Sequence, residues 1–93
     1  MTLLSKAQIE DALQHLDGWK QDQGALVREF THKDFVAAFA FVAQLALMAE
    51  KAGHHPDIDI RYNKVRVALV SHDAGGITAK DAAMATAIQK IAE

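Results

Sequence analysis

The sequence predicts an α+β fold in which three helices cover one face of a four-stranded antiparallel sheet, in the order α-β-β-α-β-β-α. Two observations carry that expectation. Two stretches, "KQDQGALVREF" and "DIDIRYNKVRVAL", contain alternating side chains on either side of a turn signal, the pattern of a hairpin half-buried on a core. Three others place apolar residues at helical spacing, the first and last of them behind a residue suited to cap a helix. At 93 residues the chain suffices for one hydrophobic core, so residues 1–93 are expected to form a single domain.

The first helix is read over "SKAQIEDALQHLDG". Ser5 is an N-cap with Gln8 three residues on, Ile9, Ala12, Leu13 and Leu16 form one stripe, and Gly18 is the stop. Trp19 after it suits the core or a lid over the hairpin better than a ligand platform. The first hairpin turns at Gly24, with Leu26, Arg28 and Phe30 alternating against Val27 and Glu29. The second helix is expected from near Thr31 or His32 to Gly53, a run rich in alanine and leucine with no breaker. Between Asp34 and Glu50 its only polar residue is Gln44, so Phe35, Phe39, Val42 and Ala46 can face one surface while Phe41, Leu45 and Met48 face another. One sheet cannot cover both, and a homo-oligomeric contact through this helix is expected.

In the second hairpin a two-residue turn at Asn63-Lys64 would set Tyr62 opposite Val65, Ile60 opposite Val67 and Ile58 opposite Leu69. Continued to the open end, that register brings His55 opposite His72, with β-carbons roughly 5 Å apart. Gly75-Gly76 turns the chain into the last helix, where Thr78 can cap and Ile77, Met84, Ile88 and Ile91 mark the apolar stripe, with Asp81 falling on it.

Composition narrows the function classes. A net charge of −2 and a pI of about 6.2 offer no basic field for a phosphate backbone, which argues against nucleic-acid binding. The lack of cysteine excludes a disulfide framework, a thiolate zinc site and a cysteine nucleophile, and fits a reducing compartment. The opening "MTLLSKAQIEDALQ" turns polar too early for a signal-peptide core, and Phe35 to Ala49 is short for a bilayer span, so a soluble, cytoplasmic protein without membrane partners is expected.

The residues able to do chemistry cluster around "AEKAGHHPDIDIRY". Neighbouring residues on an extended segment point to opposite faces, so His54 and His55 are poorly placed to clasp one metal ion, and no metal motif of known spacing is present. They can be surface histidines at a loop, or, with His72 close by, an acid-base group that works near neutral pH without a cofactor. Asp81 fits a capping-box position in "TAKD" as well as it fits a site. Glu50 reads as a solvated helix residue with a lesser chance of orienting a histidine, and His15 and His32 read as surface residues.

Taken in order, Glu50-x-x-x-His54-His55-Pro56, Tyr62, His72 with nine residues between it and Tyr62, and Asp81 resemble the signature of the pterin-4a-carbinolamine dehydratases, and the likeness extends from Trp19 to the final helix. The resemblance implies dehydration of 4a-hydroxytetrahydropterin to quinonoid dihydropterin, in recycling after an aromatic amino acid hydroxylase, with the pterin as substrate and no metal or redox cofactor. It implies that His54 and His72 are proton-transfer groups, that His55 holds the pterin, and that Glu50 and Asp81 orient imidazoles or touch the pterin edge. Gly53, Pro56, Ser71 and Asp73 would line the pocket. Gly53 stands where many family members carry an acid, and Ser71 where threonine is commoner. Dimers joined through sheet edges, tetramers joined through the apolar helix, and a coactivator-like protein-binding role are also known among members.

Overall fold

The computed structural model describes residues 2–92. Ser5 opens α1 (Lys6–Leu13). Its hydroxyl accepts from the Gln8 N–H at 3.1 Å, and the Gln8 side chain accepts from the Ser5 N–H at 2.8 Å, so each satisfies a donor that the helix leaves free. A turn then carries Leu16 and Trp19 into the core. β1 (Lys20–Asp22) and β2 (Ala25–Thr31) join through Gln23-Gly24, both at positive φ, as a tight hairpin turn requires. α2 (Phe35–Ala52), β3 (Asp57–Arg61), β4 (Lys64–Leu69) and α3 (Ala79–Ala92) complete the chain.

The strands run β1-β2-β4-β3, every neighbour antiparallel. Val65, Val67 and Leu69 of β4 and Leu26 and Phe30 of β2 point into the core, where they meet Ala38, Phe41, Leu45 and Ala49 of α2 and Met84, Ala85 and Ile88 of α3. Ile9 of α1 joins the same cluster, so the helices share one face of the sheet. The other face carries Glu29, Asp59, Lys64 and Arg66, with Arg66 donating to Asp22 at 3.1 Å. Trp19 is a core residue, edge-on to Phe30 at 6.2 Å between ring centroids, and Phe30 meets Phe41 at 4.8 Å.

Several expectations are corrected. α2 starts at Phe35, because Asp34 caps it by accepting from the Ala37 N–H at 2.8 Å, while Thr31 stays in β2 opposite Lys64. The turn of the second hairpin is Tyr62-Asn63, with Tyr62 at φ 54°, so Ile60 faces Val65 and Ile58 faces Val67. The ladder ends at Asp57 and Ala68, and the expected pairing of His55 with His72 does not form. Phe41 and Leu45 lie on the inward side of α2, with Phe35, Val36, Phe39 and Leu47 outward. His32 is half-buried with its ring 5.0 Å from that of Phe41. At 18 residues and a mean hydropathy of 1.6, α2 has the length and composition to cross a membrane, yet its inward stripe is the roof of the core.

Candidate functional site

Two chain reversals build the site. At the end of α2, Gly53 adopts the left-handed conformation (φ 67°), and the His54 N–H reaches back to the Ala49 carbonyl at 3.2 Å. An L side chain is strained at that φ, so glycine here lets the chain stop sharply and deliver His54 and His55 at the sheet end. At the end of β4 the chain folds on itself: the Ser71 N–H donates to the Gly76 carbonyl, and the Ala74 and Gly75 N–H groups donate to the Ser71 carbonyl, all within 3.0 Å. The loop holds His72 and Asp73 outward and leads through Thr78 into α3.

Between these reversals lies an open cavity of about 290 Å³, bordered by Gly53, His54, His55, Val70, Ser71, His72 and Asp73. The three histidines therefore share one cleft, although they come together through loops and not through strand pairing. Their surroundings differ. The His54 side chain is 14% exposed, with Nε2 2.6 Å from Asp81 Oδ1. His55 and His72 are largely exposed: His55 Nε2 lies 2.7 Å from Glu50 Oε1, and His72 Nε2 lies 3.9 Å from Asp57 Oδ2.

Asp81 is 0% exposed, and a buried carboxylate is tolerated only where donors replace water. Its Oδ2 accepts from the Thr78 N–H at 2.8 Å and from the Ser71 hydroxyl at 2.9 Å, while Oδ1 faces His54. The two sequence readings of Asp81, helix cap and imidazole partner, describe opposite oxygens of one group. Its burial takes it away from direct contact with a ligand in the cleft, and Ser71, which borders the cavity, spends its hydroxyl inward. Glu50 touches His55 and does not border the cavity, nor does Pro56. Val70 and the hydroxyl of Thr78 belong to the site without having been singled out as site residues; Thr78 was visible only as a cap. Among the described residues, no group of three or more His, Cys, Asp or Glu side chains has an arrangement that could hold a metal ion.

The family model described as pterin 4 alpha carbinolamine dehydratase matches residues 2–91. The chain belongs to that family. A protein of Chloroflexus aurantiacus that carries the family's name is 53% identical over 91 residues, 98% of each chain, and one from Acidobacterium capsulatum is 50% identical over 98% of this chain and 99% of its own. Among solved structures, a transcriptional coactivator/pterin dehydratase from Brucella melitensis superposes with a TM-score of 0.94 at 41% identity, covering 99% of this chain and 100% of that one. A pterin dehydratase-like protein identified as a RuBisCO assembly factor in the alpha-carboxysome gives 0.69 at 25% identity, covering 84% and 93%.

Proposed function

We propose that the chain is a hydro-lyase that converts 4a-hydroxytetrahydropterin to quinonoid dihydropterin and water by histidine acid-base catalysis. The observation that carries this reading is the meeting of His54, His55 and His72 at one cleft, two of them hydrogen-bonded through Nε2 to a carboxylate, in a chain of this family. In the reaction the C4a–O bond breaks as its oxygen is protonated and leaves as water. The N5 proton is removed, and the N5–H pair becomes the N5=C4a double bond. No oxidation state changes overall, so an acid and a base suffice. His54 and His72 are the groups assigned to the two proton transfers, and His55, braced by Glu50, holds the pterin. Gly53 and Asp73 border the same cavity.

The proposed setting is the cytoplasm, after an aromatic amino acid hydroxylase has used its pterin, with the protein acting as a homo-oligomer. A dehydration assay on freshly generated carbinolamine, with and without a chelator, tests it. Acceleration over the spontaneous rate that survives the chelator is expected; a rate at background would overturn the reading. The outward apolar side of α2, together with the coactivator and assembly-factor names of two structural neighbours, favours a second reading as a protein-binding module. Such a module would bind a partner with the histidines replaced and would show no turnover.

A further inference from the structure

Behind His54 lies a set of buried groups that the proton transfers do not themselves use. Ser71 and Thr78 are each 1% exposed, and their hydroxyl oxygens lie 2.8 Å apart. Each hydroxyl has one proton to give. The Asp81 carboxylate can only accept and takes the one proton of Ser71, so in the contact between the two hydroxyls Thr78 is the donor and Ser71 the acceptor, while Thr78 Oγ1 accepts from the Lys80 N–H at 3.3 Å. The Ser71 proton goes to Asp81 Oδ2, which also receives the Thr78 N–H. With two donors on Oδ2, the free acceptor of Asp81 is Oδ1, and it faces Nε2 of His54.

From this chain we infer that Ser71 and Thr78 are positioning residues of the dehydration: through Asp81 they hold His54 with Nε2–H inward and leave Nδ1 as its working nitrogen. The inference rests on the dehydratase reading given above. A second observation gives the chain a further effect. Ser71 directly precedes His72, so its hydrogen bond ties the loop that carries one imidazole to the carboxylate that holds the other. The spacing of the two proton-transfer groups is thereby set from inside the fold. A hydroxyl at position 71 is what this requires, and either serine or threonine provides it.

The test has one arm that needs no turnover. Nitrogen-15 NMR of the wild-type protein, above the pH at which the imidazole is charged, should show His54 as a single tautomer protonated at Nε2. In Ser71→Ala and Thr78→Val that signature should move toward an average of the two tautomers. In the second arm, Ser71→Ala should lower kcat by roughly 10- to 100-fold with KM within about twofold, the effect of a misplaced group and not of a lost contact. Ser71→Thr should restore it. A wild-type His54 protonated at Nδ1, or a Ser71→Ala protein with unchanged tautomer and unchanged kcat, would overturn the inference. Background-level turnover in the wild type would instead sink the dehydratase reading, with the NMR arm still deciding the hydrogen-bond chain, even where a variant does not fold.

Discussion

His54 and His72 sit on the same cleft but are held very differently, and their alanine variants should separate accordingly. His72 is 75% exposed with a distant partner, so His72→Ala should leave stability within about 0.5 kcal/mol of wild type. His54→Ala leaves the buried Asp81 short of one partner and should cost about 1–3 kcal/mol. Both should lower the dehydration rate by roughly 10- to 10⁴-fold. Urea midpoints beside turnover would check the pair; equal stabilities would show that Asp81 does not depend on His54. His55→Ala should raise KM more than it lowers kcat, since its role is holding the pterin, and an unchanged KM would remove it from binding. At this scale the sequence displayed the right chemical types in a telling order. It did not display their contacts: His54 and Asp81 are 27 residues apart, and only the packing of α2 against α3 brings them within 2.6 Å.

At the scale of elements, what was legible was parity. The second hairpin is shifted by two residues from the register read locally, and a side-chain period of two keeps Val65, Val67 and Leu69 inward in either case. The shift arises from a distant contact. Asn63 donates through Nδ2 to the His32 carbonyl at 2.9 Å and accepts from the His32 N–H at 2.8 Å, which fixes it in the turn and forces Tyr62 into the left-handed region. No local pattern around Asn63 encodes His32. Tyr62 is 66% exposed and so gains little from packing in return for that φ. Tyr62→Gly should therefore raise stability by up to about 1 kcal/mol, read as a higher denaturant midpoint at unchanged slope. A lower midpoint would mean that the ring makes a stabilising contact, in the monomer or an oligomer. Helix 2 shows the same limit of local reading: its excess apolarity was plain, but which side the sheet takes was not, because almost every position is apolar.

For the whole molecule, that choice of side decides how copies of the chain would meet. Val36, Ala40, Ala43 and Leu47 follow one another at helical spacing along the outward side of α2, flanked by Phe35 and Phe39, whose rings lie 6.2 Å apart. The stripe is long and apolar, and its alanines permit a close approach of a second helix. Burying a large side chain from it contributes roughly 1.5–3 kcal/mol, and a two-fold axis repeats the gain in the other subunit. We expect a homo-oligomer joined there. The discriminating variants sit two residues apart. Leu47 is 75% exposed, so Leu47→Glu should split the assembly while far-UV circular dichroism stays that of the folded chain. Leu45 is 0% exposed, so Leu45→Glu buries an unpaired carboxylate and should unfold the subunit itself, not merely part it from its neighbour. Sedimentation decides the matter: a wild-type mass of one chain at micromolar concentration would sink the expectation, and a Leu47→Glu protein that keeps the wild-type mass would move the interface off this side of α2.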